Sequence, residues 1–224
     1  APSIPVALYY PTQAPARAVQ RGLFTVHAAI QAAPDDVVKG LIVLSHGASG
    51  IEVGHSSLAE ALAQRGYLVA APRHPGDNWE DRSLMQAGAA PYFTERPKQL
   101  SRVIDALLGD PAWRARIAAD AHGPRVGALG HSMGGYTVLA LAGARPDPAR
   151  YGTHCAQHRM DDPVFCSMGK AVTPTASPAA APPLGDSRVR AVVALAPAGA
   201  MFQANAFAEV SIPVAVYAAE HDRF

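Results

Sequence analysis

The chain has 224 residues, 49% of them hydrophobic and 17% charged, which is enough for one folded core and excludes a disordered chain. Nineteen basic residues stand against eighteen acidic ones, a net charge of +1, so there is no electrostatic footprint for nucleic acid or an anionic membrane surface. No apolar run approaches the roughly 18 residues of a membrane-spanning helix.

The sequence begins at Ala1 without a charged leader to read as a signal peptide. Residues 4–10 and 23–29 read as strands with no helix between them. They are expected to flank the main sheet as an antiparallel, hairpin-like addition at one edge. From residue 40 onward, short apolar runs alternate with helical stretches. The run Leu41-Ile42-Val43-Leu44 is apolar throughout, as in a sheet covered on both faces. Leu58, Ala59, Leu62 and Ala63 recur at helical spacing, and Gly66 closes that helix. Residues 67–71 form the next strand, and a helix is predicted to open at Thr94, with Leu100, Val103, Ile104, Leu107 and Leu108 on one face. Asp110-Pro111 has the pattern of an N-cap followed by proline at the first helical position.

A third inner strand is predicted at 125–129 and a small apolar helix at 136–144. Residues 145–188 then break the rhythm with seven prolines. The pattern resumes with strands at 189–195 and 213–218, so 145–188 is an insertion within one domain spanning 1–224. Alternation of this kind implies right-handed crossovers and a mostly parallel sheet, an α/β fold with flanking helices. Cys155 and Cys166, eleven apart in the insertion, are expected to form a disulfide, which fits an exported protein. A metal site using His154, Cys155, His158 and Cys166 is the weaker alternative, and no cofactor is called for.

Chemistry concentrates in Gly130-His131-Ser132-Met133-Gly134-Gly135. Lying directly between a predicted strand and a predicted helix, it has the context in which Gly-x-Ser-x-Gly forms a strained elbow that raises a serine above the carboxyl ends of the strands. Ser132 is therefore the candidate nucleophile. Acyl transfer also needs two N–H donors aimed at a developing oxyanion. Met133, next after the serine, and Ala48, in the loop after strand 40–44, are the candidates, with His46 bracing that loop. Asp222, just beyond strand 213–218, is the candidate acid. It is preferred to Glu220, which lies closer to the strand, and to Asp186, which precedes a strand and so lies at the opposite end of the sheet. None of the nine histidines is well placed as base in the order Ser…Asp…His. The base is expected downstream of Phe224, with His154, His158 and His221 as alternatives. A chain ending at Phe224 is then expected to react weakly.

These motifs resemble those of the α/β-hydrolase superfamily, and more closely the bacterial dienelactone-hydrolase-like group related to platelet-activating-factor acetylhydrolases. The residues that carry the resemblance are Tyr9-Tyr10-Pro11-Thr12, Leu44-Ser45-His46-Gly47, Ala71-Pro72-Arg73-His74-Pro75-Gly76-Asp77-Asn78, the elbow through Tyr136, and Ala194-Leu195-Ala196-Pro197. The resemblance implies an α/β-hydrolase fold, Ser132 as nucleophile, and Ala48 and Met133 as the oxyanion hole. The sequence departs from the pattern in three places. Dienelactone hydrolases use cysteine where Ser132 stands. The acetylhydrolase acid position holds Ala196-Pro197, which leaves that role to Asp222. The C-terminal Gly-His segment is absent.

The expectation is a serine hydrolase acting on small carboxylic esters. An acyl pocket lined by Met133, Trp79, Tyr92, Phe93 and Met201 is expected to favour short to medium uncharged acyl groups. The rivals are a non-catalytic binding protein of the same fold, and an amidase or peptidase on the same scaffold.

Overall fold

The computed structural model describes residues 2–167 and 183–221. The strands are β1 (Val6–Tyr9), β2 (Arg17–Arg21), β3 (Phe24–Ala28), β4 (Leu41–Ser45), β5 (Leu68–Pro72), β6 (Ala119–Asp120), β7 (Gly123–Pro124), β8 (Val126–His131), β9 (Val189–Leu195) and β10 (Val214–Tyr217). The helices are α1 (Ser56–Gln64), α2 (Ser83–Gln86), α3 (Ala89–Gly109), α4 (Pro111–Arg116), α5 (Met133–Leu141), α6 (Ala149–His158) and α7 (Pro163–Ser167).

Six strands form one sheet in the order β1-β5-β4-β8-β9-β10. Strands β5, β4, β8, β9 and β10 run parallel, and β1 lies antiparallel on the β5 edge. The apolar runs alternate between two faces with period two. Leu41, Val43, Leu68, Ala70, Val126 and Ala128 face α3 and the C-terminal half of α5. Leu44, Val69, Ala71 and Leu129 face α1 on the other side. Helix α1 ends as its sequence dictates: Gly66 takes φ +95°, and the Gly66 and Tyr67 N–H groups return to the carbonyls of Ala63 and Leu62. Asp110 caps α4, accepting from the Ala112 and Trp113 amides. Among the described residues, no helix is long and apolar enough to cross a membrane.

Three expectations need correction. Residues 23–29 do not flank the main sheet. Strand β3 pairs with β2 in a separate antiparallel hairpin, turned at Gly22 with φ +59° and tied to α1 where the His27 N–H donates to Glu60. Strand β2, Arg-Ala-Val-Gln-Arg, is exposed at four of five positions, so it carries no buried face to read. Helix α3 opens at Ala89 rather than Thr94, five residues earlier. Pro91 is acceptable in its first turn, but Pro97 lies inside the helix and leaves the Phe93 carbonyl without its intrahelical donor. The Tyr136 hydroxyl supplies that donor at 2.9 Å, so the defect in α3 becomes a tie to α5. Helix α5 begins at Met133 and ends at Leu141, not 136–144.

The described part of the insertion carries two short helices, α6 and α7, joined by a Cys155–Cys166 disulfide with Cα atoms 5.4 Å apart. Tyr151, Cys155, Phe165 and Cys166 pack in one apolar cluster with Tyr92, Phe93, Met133, Tyr136 and Met201. Because the disulfide consumes both thiolates, neither cysteine is free to ligate a metal.

Two sets of variants test this packing. A Cβ at Gly134 would lie 2.0 Å from the Ser45 carbonyl oxygen, whereas one at Gly152 in α6 meets nothing within 4 Å. Gly134→Ala is expected to cost about 3 kcal/mol or more through forced overpacking. Gly152→Ala should be neutral or stabilising by about 0.5–1 kcal/mol. Tyr136→Phe strands the Phe93 carbonyl and should cost about 1–3 kcal/mol. Urea midpoints for the three variants check these values.

Candidate functional site

Ser132 sits between β8 and α5 with φ +54° and ψ −118°, a backbone conformation that a residue with a Cβ rarely adopts. The conformation is enforced from both sides. The Ser132 N–H donates to the Leu195 carbonyl at 2.9 Å, and its carbonyl accepts from the Tyr136 and Ala198 amides at 3.1 Å each. Glycine is required on either side: a Cβ at Gly130 would lie 2.0 Å from the Gly134 carbonyl oxygen, and one at Gly135 would lie 2.8 Å from Pro197. Ala196-Pro197 therefore packs against the elbow helix. Ala196 itself has φ +39°.

The loop after β4 comes up against the elbow. A Cβ at Gly47 would lie 3.4 Å from the Ser132 Cβ. Among the described residues, neither the Ala48 nor the Met133 backbone N–H has a hydrogen-bond partner. Met133 is the first residue of α5, where unpaired amides and the positive end of the helix dipole coincide. His131 is exposed and packs edge-on against His55, ring centroids 5.3 Å apart. Burial, and then His131, lower the pKa of His55.

Beneath the loop lies a buried polar network that the sequence reading did not assemble. His46 Nε2 accepts from the His74 amide, so its Nδ1 carries the proton given to the Gly47 carbonyl at 2.7 Å. His74 Nδ1 donates to Gln99 Oε1 at 2.7 Å, because the Gln99 amide nitrogen is committed to the Pro75 carbonyl. His74 Nε2 then accepts from the Ser45 hydroxyl at 2.9 Å. Both rings are neutral. Burial foremost, and the nearby Arg96 next, lower His46 to about 3 and hold His74 well below the usual histidine range. Asp77 and Arg96, with fully buried side chains, form an ion pair at the centre of the network.

Of the other residues singled out by sequence, Asp222 lies outside the described residues. Asp186 bonds Arg188 before β9, at the amino end of the sheet, and Glu220 and His221 are exposed. His154 pairs with Asp162 at 2.9 Å and stacks near His158 in α6. Among the described residues, no histidine is hydrogen-bonded to Ser132. The expected pocket lining also needs correction. Tyr92, Phe93, Met133 and Met201 are at most 2% exposed and belong to the core, and Trp79 is the one member of that set at the surface, 56% exposed. Large apolar side chains around an elbow fit a core as well as a pocket, and sequence does not distinguish the two.

No protein-family model matches the chain. Over 108 residues it is 32% identical to cutinase est1 of Thermobifida alba, a match covering 48% of this chain and 32% of that protein. It is 29% identical over 108 residues to cutinase 2 of Thermobifida cellulosilytica, covering 48% of this chain and 36% of that one. The chain thus spans about a third of the length of these curated relatives. A solved ferulic acid esterase from Streptomyces cinnamoneus superposes with a TM-score of 0.57 at 22% identity, covering 94% of this chain and 56% of that chain. Together with the sheet order, this likeness establishes an α/β-hydrolase fold.

The neutral histidines have a pH consequence. Their folded pKa values lie below the unfolded value of about 6.5, so below that pH the unfolded chain binds more protons and stability falls. From pH 8 to pH 5 the loss should reach about 2 kcal/mol for each histidine. Urea midpoints measured at the two pH values should differ accordingly. In a His74→Gln background the difference should shrink by about half.

Proposed function

We propose that the chain carries the nucleophile and oxyanion hole of a serine hydrolase acting on small carboxylic esters. The observation that carries this reading is the strained Ser132 elbow with two N–H groups, of Ala48 and Met133, that have no partner among the described residues, on the elements that meet there. A strained serine and unsatisfied donors have a stability cost and no structural role of their own, which favours a catalytic protein over a binding protein of the same fold. The relatives' names, cutinase and ferulic acid esterase, support ester substrates over amides.

In this reading the Ser132 oxygen attacks the ester carbonyl while a histidine base takes its proton. The carbonyl oxygen becomes an oxyanion that accepts from the Ala48 and Met133 amides. Collapse breaks the C–O bond, the alcohol leaves with the proton, and an acyl-Ser132 remains until water repeats the sequence in reverse. Asp222 is the proposed partner that orients the base. The chemistry needs no metal or cofactor. We further propose that 1–224 belongs to a single domain whose insertion at 145–188, of which 168–182 lie outside the described residues, roofs the site. The Cys155–Cys166 disulfide supports export to an oxidising compartment. The dienelactone-hydrolase-like and acetylhydrolase-like group is the finer assignment we favour, on the motifs around His46, His74 and Asp77.

A fluorophosphonate probe tests the reading. The intact protein should be labelled at Ser132, located by peptide mass spectrometry, and should hydrolyse p-nitrophenyl butyrate. Ser132→Ala should abolish labelling and lower kcat by at least about 10⁴-fold. Labelling at another residue, or turnover that survives Ser132→Ala, would rule out Ser132 as nucleophile.

A further inference from the structure

The ester mechanism makes no use of the Asp77–Arg96 pair, although it is the most deeply buried charged group described, with both side chains 0% exposed. Burying an ion pair strips both charges of water, and an apolar pair of similar size often serves stability as well. The bonds the pair makes point to a different role. Asp77 Oδ1 accepts from the Ser49 N–H at 2.8 Å. Asp77 Oδ2 accepts from the Tyr92 hydroxyl at 2.9 Å and from Arg96. Arg96 in turn donates from Nη2 to the His46 carbonyl and, at 3.1 Å, to the Ser45 hydroxyl. Its Nε donates to the Thr137 hydroxyl at 3.0 Å, and that hydroxyl donates to the Met133 carbonyl at 2.7 Å.

The pair therefore holds both halves of the proposed oxyanion hole. On one side it grips His46 and Ser49, which bracket Gly47 and Ala48. Ser49 has φ +53° without being glycine, a conformation that the Asp77 bond to its amide helps to hold. On the other side it reaches, through Thr137, the carbonyl of Met133 in the first turn of α5. From this geometry we infer that Asp77 and Arg96 are positioning residues that set the separation between the Ala48 and Met133 amides. The inference rests on the ester-hydrolase reading of the site.

Placement at this level matters because an oxyanion donor works only when it lies about 2.7–3.1 Å from the developing charge. A displacement of about 1 Å can cost on the order of 100-fold in rate. The planar guanidinium suits the task because it presents fixed N–H groups in three directions at once, to Thr137, to Asp77, and to Ser45 and His46. A lysine ammonium keeps the charge but cannot span those partners.

The test compares Arg96→Lys and Thr137→Val with wild type in the intact protein. Thr137→Val is nearly isosteric and cuts the link to α5 without leaving a charge unpaired, so it remains informative if Arg96→Lys fails to fold. Active sites are counted by fluorophosphonate titration, so that lost folding is not read as lost rate. Per active site, each variant should lose ~10–100-fold in kcat, with KM for p-nitrophenyl butyrate within about twofold. A butylboronic acid, whose tetrahedral adduct on Ser132 places an oxygen in the hole, should bind more weakly by the same factor. A merely structural role would lower the melting temperature and the titratable fraction, and would leave per-site kcat and boronate affinity unchanged. That result in both variants, with the wild type labelled at Ser132, would overturn the positioning role alone. An unlabelled wild type would overturn the ester-hydrolase reading and this inference with it.

Discussion

Around Ser132 four pieces of backbone approach, at three contacts, more closely than side chains permit. Gly130 faces the Gly134 carbonyl, Gly134 faces the Ser45 carbonyl, and Gly135 faces Pro197. Strand β8, the end of β4, the first turn of α5 and the loop after β9 are thus locked together by contacts that only glycine allows. The left-handed conformation of Ser132 follows from this crowding. A chain leaving the central strand and turning at once into a helix packed on its neighbours has one way to go, and the residue at the corner takes the strain. The cost is distributed over the hydrogen bonds that Leu195, Tyr136 and Ala198 make to the Ser132 peptide.

With the elbow fixed this way, the loop after β4 has to be fixed as well, because it passes over Gly134 at the same contact. The sequence fills the space beneath it with polar groups, and each finds a partner. Ser45 accepts from Arg96 and donates to His74, His74 donates to Gln99, and His46 accepts from the His74 amide and donates to Gly47. In a low dielectric, such a network specifies one arrangement, since any member left unpaired bears the full cost of its desolvation. The neutral state of both histidines belongs to the same arrangement. A proton added to either ring would remove the acceptor that Ser45 or the His74 amide uses, and would place a second positive charge near Arg96.

The parts of this design that are written locally were legible in the sequence. The inner strands show as continuous apolar runs because both faces of the sheet are covered. The elbow shows because its glycines and serine stand together in one short run, although two of those glycines are forced by distant partners, Ser45 and Pro197. Helix caps at Gly66 and Asp110 are local as well. What escaped was written at long range or in exposed chain. Asp77 and Arg96 are 19 residues apart, and Arg96 meets His46 and Thr137 across 50 and 41 residues, so no spacing rule joins them. The polar face of α3 reads as solvent-exposed until its partners are known. Strand β2 lacks a buried face, so its pairing with β3 left no trace in periodicity. Pro97 breaks the amide ladder of α3, and the bond that makes up for it comes from the Tyr136 hydroxyl, 43 residues from the Phe93 carbonyl it serves.

That hydroxyl also links the outer layer of the molecule to its centre. Tyr136 lies one turn into α5, its ring packs against Phe93 and Phe202, and its oxygen completes the broken ladder of α3. Phe93 in turn meets Tyr151 and Phe165 of the insertion, whose helices the disulfide joins. Helices α3, α5, α6 and α7 therefore converge on one aromatic cluster that also contains Met133 and receives Ala48 from the loop after β4. Met133 is held at its carbonyl by the guanidinium of Arg96, through Thr137, and at its side chain by this cluster. Two supports of different chemistry, one polar and directional, the other apolar and space-filling, meet at one residue. Neither alone fixes residue 133: packing sets where its backbone lies, the Thr137 bond anchors its carbonyl, and the Tyr136 and Ala198 amides, bonded to the Ser132 carbonyl in the same peptide plane as the Met133 N–H, set which way that N–H points.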